Sequence, residues 1–271
     1  MRTELVSEPG DPNRPNEDFA SVGLPASGQG GSLIVLDGVT PPRGETGCLH
    51  PVPWYTARLG GALTELTVSC RDLTLAEILS RAITRTSEAH SATCDLSHPR
   101  TPQATVVLAR WSPQEIEYLV LSDSALLVES PAGEVTAVLD DRLSRLPRAA
   151  RATDTLIDAT LRNKEGGFFT AAADPSVAER AVTGTLPRAE VHALAALTDG
   201  ATRWVEKFGK GDWAECLALV RKEGAAELVS RVRALERADA ETRTYLRRSK
   251  THDDATVVYV ELRAAAFAAP V

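Results

Sequence analysis

Four apolar segments follow one another between residues 104 and 139, with only short turns between them. The tracts at residues 111–114 and 130–133 contain proline, serine and glycine, which favour tight turns. Strands joined by such short connections pair in antiparallel fashion, because a parallel pair needs a long crossover. This region therefore predicts an antiparallel meander, and that feature constrains the fold more than any other.

Helical patterns surround the predicted meander. Residues 54–69 and 75–91 place apolar side chains at helical spacing. Other stretches predict further helices (142–163, 201–208 and 212–237) and further strands (18–22, 32–36, 190–197 and 255–261). Strands joined by hairpins favour antiparallel sheets covered by helices, which is an α+β fold. Because no linker divides the chain, residues 1–271 are predicted to form a single domain with a core from about 14 to 262.

Composition excludes several classes of protein. With 43% hydrophobic and 25% charged residues, the chain is predicted to fold rather than to be disordered. The net charge of −7 argues against nucleic acid or an anionic membrane as the partner. No segment approaches the roughly 20 apolar residues of a membrane span, and the N-terminus lacks the apolar core of a signal peptide. We therefore expect a cytoplasmic protein and, as its simplest state, a monomer.

The four cysteines are far apart in the sequence. Cys48, Cys70, Cys94 and Cys216 form no CxxC motif and accompany no paired histidines. Neither a zinc site nor a disulfide scaffold is expected from that spacing.

Acidic residues mark the ends of the predicted strands. They are Glu17, Asp18, Asp37, Asp123, Asp199, Asp253 and Asp254. Each has an ordinary explanation, since Asp-Gly is a common turn and aspartate often borders a strand. Brought to one edge of a sheet, however, such carboxylates would repel one another unless hard cations such as Mg²⁺ or Mn²⁺ neutralised them.

The order of these acids resembles that of the PP2C (PPM) family of metal-dependent protein phosphatases, over about residues 14–262. The similar motifs are Asn16-Glu17-Asp18, Leu36-Asp37-Gly38, Gln103-Ala104-Thr105, Ser122-Asp123-Ser124, Thr198-Asp199-Gly200 and Asp253-Asp254-Ala255-Thr256. Each motif is short, but their order and spacing are those of the family. The resemblance implies a four-layer α-β-β-α sandwich of two antiparallel sheets flanked by helices.

The resemblance also implies a centre of two Mn²⁺ or Mg²⁺ ions and a metal-bridged water that attacks phosphorus. By this resemblance, Asp37 would bridge both ions and the Gly38 carbonyl would bind one of them. Asp199 and Asp253 would complete the second ion's ligands, so Asp37, Asp199 and Asp253 are the predicted catalytic residues. Glu17 would act through water, and Asp123 would match the acid that helps to hold a third, weaker ion in bacterial members. Arg14 is the candidate phosphate-binding residue, with a solvated loop arginine as the alternative.

Several positions depart from the family pattern. Residues 39–42 (Val-Thr-Pro-Pro) replace a His or Met followed by two glycines, so the histidine proposed as general acid in some members is missing. Ala125 replaces an arginine. Asp254 replaces an asparagine, and its extra charge either strengthens metal binding or is solvated.

Other residues have both a functional and a structural interpretation. His252 could donate a proton or be structural, and His50 could face the site or the solvent. The basic run at residues 247–250 could attract a phosphorylated substrate or be a solvated loop. A flap is predicted at about residues 140–189, in which the Phe168–Phe169 pair could touch a ligand.

The leading prediction is a phosphomonoester hydrolase acting on phosphoserine or phosphothreonine in a protein. Two alternatives stay open. The same metal site could act on a small phosphorylated metabolite, or the chain could be a catalytically silent regulator that binds a partner. The altered loop at residues 39–42 and the loss of arginine at 125 favour the hypothesis of a catalytically silent regulator.

Overall fold

Two antiparallel five-stranded sheets organise the computed structural model, which describes residues 1–151, 153–245 and 251–262. One sheet has the order β1-β10-β9-β6-β7 and the other β2-β3-β4-β5-β8. The strands are β1 (Arg2–Glu8), β2 (Phe19–Gly23), β3 (Gly31–Gly38), β4 (Ala104–Trp111), β5 (Glu115–Leu121), β6 (Ala125–Glu129), β7 (Val135–Leu139), β8 (Val182–Pro187), β9 (Ala193–Leu197) and β10 (Ala255–Glu261). The helices are α1 (Val52–Ser69), α2 (Leu75–Glu88), α3 (Arg142–Arg145), α4 (Asp154–Thr160), α5 (Asp199–Glu206), α6 (Trp213–Glu223) and α7 (Ala225–Thr242).

The sheets pack face to face, and helices cover both outer faces. On β3, Ile34 and Leu36 pack with α1 and α2, whereas Leu33 and Val35 face the other sheet. Helices α5, α6 and α7 pack on the outer face of the sheet that contains β9 and β10. Because β3 is buried on both sides, its sequence is a continuous apolar run rather than an alternating one. The predicted four-layer α-β-β-α sandwich is confirmed.

Two strands were missing from the sequence-based expectation. β1 pairs with β10 and β8 pairs with β5, each at the edge of its sheet. Most residues of both strands are partly or fully exposed, so they lack the apolar signal that marks the central strands.

Two predicted helices are each divided in the structure. The stretch predicted over 142–163 contains α3, a short 3₁₀ turn and α4. Pro147 comes two residues after the end of α3, and because proline cannot continue a helix, α3 stops before it. The stretch predicted over 212–237 divides at Gly224, whose φ of 102° is a conformation that glycine adopts most readily.

Two neighbouring glycines of α1 should respond in opposite ways to alanine. A Cβ on Gly60 would lie 2.2 Å from Cδ1 of Phe19, whereas a Cβ on Gly61 would meet no atom within 4 Å. We expect Gly60→Ala to lower the free energy of unfolding by about 1–3 kcal/mol through overpacking. Gly61→Ala should raise it by up to about 1 kcal/mol, because alanine favours the helix. Urea unfolding of both variants tests this packing, and equal effects would contradict it.

Candidate active site

Strand pairing brings distant acids to one edge of the sandwich. Asp37 lies near the end of β3, and Asp18 directly precedes β2, which runs antiparallel beside it. In the other sheet, Asp199 follows β9, and Asp253 lies just before the antiparallel β10. In each pair the end of one strand therefore lies beside the start of its neighbour.

Hydrogen bonds join the two sheets at this edge. The Asp18 carboxylate accepts hydrogen bonds from the hydroxyls of Thr198 (3.0 Å) and Thr256 (2.6 Å), which belong to the opposite sheet. The backbone N–H of Asp199 donates to Oδ2 of Asp37 over 3.3 Å. Oδ1 of Asp18 is buried and has no hydrogen-bond partner among the described residues. A buried carboxylate oxygen without a partner is costly unless a cation or water binds it.

The carboxylates raise one another's pKa values. Burial, and then the charges of Asp199 and Asp18, raise the pKa of Asp37 well above the ordinary aspartate range. Burial and the charges of Asp253 and Asp123 raise the pKa of Asp199 to about 8. The pKa of Asp18 is raised to about 7, mainly by burial. Positive charge placed among these groups would relieve both the desolvation and the repulsion.

Asp123 joins the cluster from the β5–β6 turn. Burial raises the pKa of Asp123, although a hydrogen bond of 3.1 Å from the Ser122 hydroxyl lowers it in part. Ser122 has a φ of 71°, a left-handed conformation that glycine adopts more easily. Its N–H donates to Asp140 over 2.8 Å, which holds the turn in place. Ser122 therefore has the left-handed backbone conformation that suits glycine, the residue found at this position in the family's Gly-Asp-Ser motif.

Asp253 is held by a buried ionic network. Nη2 of Arg203 lies 2.9 Å from Oδ2 of Asp253, and the same guanidinium binds Glu236. The Glu236 side chain is fully buried and also binds Arg233 (2.8 Å) and Nδ1 of His252 (2.8 Å). His252 therefore contacts a structural carboxylate behind Asp253. This favours its structural interpretation over a role as proton donor.

Glu17 packs tightly against Gly38. A Cβ on Gly38 would lie 2.5 Å from the carbonyl oxygen of Glu17, so only glycine fits at this point. The Thr40 hydroxyl donates a hydrogen bond to the Glu17 carboxylate. One residue of the altered loop thus fixes the side chain of a predicted metal-site residue.

Asp254 makes structural hydrogen bonds. Its carboxylate accepts hydrogen bonds from the backbone N–H groups of Gly10 (2.7 Å) and Glu17 (2.6 Å). The charge that replaces asparagine therefore ties the N-terminal loop to the start of β10. The sequence suggested metal binding or solvation for Asp254. These hydrogen bonds account for its carboxylate without either role.

Other sequence candidates lie apart from the acid cluster. Arg14 is exposed, and within the described chain no hydrogen bond or ion pair joins its side chain to the cluster. His50 lies near cysteines rather than carboxylates. Phe168 and Phe169 are buried at 2% and 9% exposure, so neither is free to touch a ligand. The basic run at 247–250 lies outside the described residues.

A cavity of about 220 Å³ adjoins the cluster. Residues 39–42 form one wall, and residues 99–103 contribute to another. Arg100 and Arg162 also line the cavity, and both pair with Asp158, at 2.9 Å and 3.1 Å. The charge of Arg162 lowers the pKa of Asp123, which places this arginine close to the acids. Sequence reasoning missed both arginines, because neither stands in a recognisable motif.

The donor set fits hard divalent cations. The side chains that meet at this edge offer carboxylate oxygens, together with the Gly38 carbonyl, and all-oxygen sites suit Mg²⁺ and Mn²⁺. The unpartnered Oδ1 of Asp18 and the raised pKa values both indicate a site that gains from positive charge.

Carboxylates at one edge of a four-layer sandwich are the arrangement expected from the resemblance to metal-dependent phosphatases. A family model described as Protein phosphatase 2C matches residues 11–248. The chain therefore belongs to the protein phosphatase 2C family and is a hydrolase of that type. The metal dependence of the family agrees with the donor set.

Solved structures of bacterial phosphatases share the fold. The serine/threonine phosphatase Stp1 from Staphylococcus aureus is 12% identical, with a TM-score of 0.60 over 97% of this chain and 95% of that one. PstP/Ppp from Mycobacterium tuberculosis is 17% identical, with a TM-score of 0.59 over 96% and 98%. The S. agalactiae serine/threonine phosphatase is 15% identical, with a TM-score of 0.59 over 96% and 99%. No curated protein matches the sequence.

In the described part of the chain, no helix is both long and apolar enough to cross a bilayer.

The raised pKa values predict how stability depends on pH and metal. Asp18 (about 7) and Asp199 (about 8) bind protons more tightly in the folded than in the unfolded chain. Their stabilising contribution is therefore complete at low pH and is lost as the pH rises through about 7–8. We expect the Tm of metal-free protein to fall between about pH 5 and pH 8, and Mn²⁺ to raise the Tm more at pH 8.

Calorimetry of the metal-free protein, with and without Mn²⁺, measures this dependence. An Asp37→Asn variant should show a shallower fall in Tm, because one source of repulsion is gone. An equal fall in the variant, or no response of wild type to Mn²⁺ at pH 8, would contradict the expectation.

Proposed function

We propose that the protein hydrolyses phosphoserine and phosphothreonine in proteins, using two Mn²⁺ or Mg²⁺ ions. Asp37, Gly38, Asp199 and Asp253 would hold these ions, Glu17 would act through water, and Asp123 would help to hold a third, weaker ion. The observation that carries the proposal is the convergence of the Asp37, Asp199 and Asp253 carboxylates at one edge, where charge and burial raise the pKa values of Asp37 and Asp199.

Each residue has a defined task in this proposal. When bound, the ions supply an activated water and neutralise the phosphoryl oxygens during attack. Arg203 orients Asp253, and Thr40 orients Glu17. Phosphate binding is assigned to Arg14, which is exposed and stands three residues before Glu17, the residue that packs against Gly38. Val39 stands where some family members carry the histidine proposed as general acid, so the leaving group would take its proton from water or from another residue.

The cavity beside the acids supports a phosphorylated substrate. Arg100 and Arg162 line it and carry positive charge, part of which Asp158 neutralises. Arginine is well suited to binding phosphate groups. Membership of the protein phosphatase 2C family agrees with a phosphorylated protein as the substrate.

A substrate panel tests the proposal. Wild type with Mn²⁺ is assayed on phosphoserine and phosphothreonine peptides, on small phosphorylated metabolites and on p-nitrophenyl phosphate. We expect kcat/KM to be at least about tenfold higher for the peptides, because contacts away from the phosphate add binding energy. Higher values for a metabolite would favour the small-molecule alternative. No Mn²⁺-dependent turnover of any substrate would indicate a silent regulator.

A further inference from the structure

Two cysteines and two histidines meet outside the acid cluster. Cys48 and His50 lie in the loop between β3 and α1, whereas His90 and Cys94 follow α2. One potential ligand atom from each of the four lies within 4.8 Å of the others. His90 is buried at 3% exposure and the other three are half-buried. These residues are called the Cys₂His₂ cluster below.

The distances within the Cys₂His₂ cluster are close to those of a tetrahedral ion site. Sγ of Cys48 lies 3.0 Å from Sγ of Cys94 and 3.3 Å from Nδ1 of His90. Sγ of Cys94 lies 3.5 Å from Nδ1 of His50. Around tetrahedral zinc, bonds of about 2.3 Å to sulfur and about 2.0 Å to nitrogen separate neighbouring ligands by roughly 3.3–3.8 Å. Both sulfur–nitrogen distances lie in this range, and the two sulfurs, which are free thiols, would move apart by less than about 1 Å to admit the ion.

Backbone N–H groups donate hydrogen bonds to both sulfurs. The N–H of Leu49 donates to Sγ of Cys94 and the N–H of His50 donates to Sγ of Cys48, each over 3.4 Å. Such donors suit the thiolate, which is the form of cysteine that binds metals.

Trp54 shields the Cys₂His₂ cluster. Its ring stacks on His50 with centroids 4.0 Å apart and lies 5.2 Å from the ring of His90. An apolar ring beside the ligands fixes their orientation and limits access of solvent.

We propose that Cys48, His50, His90 and Cys94 bind one structural zinc ion. Two sulfurs and two imidazole nitrogens suit Zn²⁺ and do not suit the hard ions of the acid cluster. Four protein ligands leave no open position for substrate, so this ion stabilises structure rather than taking part in hydrolysis.

The sequence argument against zinc considered only CxxC motifs and paired histidines, and the ligand spacing here is different. The pattern here is Cys-x-His followed by His-x₃-Cys, so neither CxxC nor a pair of histidines occurs. The N–H of Cys94 donates to the carbonyl of His90 over 3.0 Å, which forms one helical turn. Residues four apart on such a turn face the same side. Each short segment, Cys48–His50 and His90–Cys94, therefore supplies one cysteine and one histidine to the site.

The zinc site joins the two walls of the substrate cavity. The loop from residue 39 to 51 has no regular structure, and its first residues line the cavity. Another part of the cavity lining, at residues 99–103, begins shortly after Cys94. Between the two walls, the N–H of Asp95 donates to the carbonyl of Gly47 over 2.7 Å. The ion thus anchors the loop that carries Thr40 to the end of α2.

Metal analysis of the full chain tests the proposal. The protein is expressed without a histidine tag, purified under reducing conditions and desalted into metal-free buffer, and zinc is measured by mass spectrometry. We expect about one zinc per chain. Cys48→Ser combined with Cys94→Ser should reduce the content at least about tenfold, because two of four ligands are lost. Cys70→Ser, a half-buried thiol outside the cluster, should keep it.

A second variant excludes binding of zinc by the acid cluster. Asp37→Asn with Asp199→Asn should still contain about one zinc, so failure of this proposal and failure of the phosphatase proposal are distinguishable. X-ray absorption at the zinc edge of wild type needs no variant, and we expect two sulfur and two nitrogen neighbours. No zinc in reduced wild type, an all-oxygen environment, or full zinc content in the cysteine double variant would overturn the proposal.

Discussion

Asp37→Asn is expected to reduce Mn²⁺-dependent hydrolysis of p-nitrophenyl phosphate by at least about 10³-fold in kcat/KM. A bound metal contributes several kcal/mol to stabilising the transition state, and each 1.4 kcal/mol is roughly a factor of ten. Asp37 lies at the centre of the cluster, beside Asp199, Asp18, Asp123 and Asp253. Asp199→Asn should have an effect of the same size, because its carboxylate completes the site.

The stability of Asp37→Asn separates a lost site from a lost fold. Removing one charge from a self-repelling cluster should leave the Tm of metal-free protein unchanged or higher. Asp72→Asn, an exposed aspartate between α1 and α2, serves as the matched control and should keep full activity. If Asp37→Asn retained wild-type turnover, or if Asp72→Asn lost it, the assignment of the site would be wrong.

Glu236→Ala is expected to lower the free energy of unfolding by about 3–5 kcal/mol, because it leaves buried positive charge without its partner. The Glu236 side chain is fully buried and binds Arg203, Arg233 and His252. For a domain of this size the change corresponds to a fall in Tm of about 10 °C. Since Arg203 also holds Asp253, Mn²⁺-dependent activity should fall as well.

Glu223→Ala is the matched control for this network. Glu223 lies on α6 and pairs with Arg231 at the surface, where both side chains are more than 40% exposed. Exposed pairs contribute little, so we expect a change within about 1 kcal/mol. Thermal unfolding of both variants by circular dichroism measures the difference. A similar, small effect of the two substitutions would contradict a structural role for the buried network.

The central strands could be predicted because they are buried on both faces. The continuous apolar run of residues 32–36 indicated a buried strand, and β3 lies between helices and the opposite sheet. The edge strands β1 and β8 could not be predicted in this way, because they bury little and their side chains carry no apolar pattern. Strands that bury both faces could therefore be predicted from the sequence, whereas exposed edge strands could not, because the apolar pattern follows burial rather than strand propensity.

The candidate site was predictable only where a residue stands at the end of a strand. Asp37 and Asp199 follow apolar runs, and antiparallel pairing brings those ends together. The role of Glu236 was not predictable, because its partner Arg203 is 33 residues away and both are ordinary helical residues in the sequence. Cys48 and His90, 42 residues apart, meet only through tertiary packing.

The most direct test of the central claim is the position of manganese in a crystal of the full chain. Crystals grown with Mn²⁺ and measured at the manganese absorption edge give anomalous difference peaks at the ions. The proposed mechanism predicts two strong peaks within about 2.5 Å of carboxylate oxygens, both next to Asp37 and at least one next to Asp199 and Asp253. A weaker third peak beside Asp123 is compatible with it. Absence of any peak at Asp37 in Mn²⁺-saturated crystals would contradict the claim that this edge of the sandwich is the metal centre of a phosphatase.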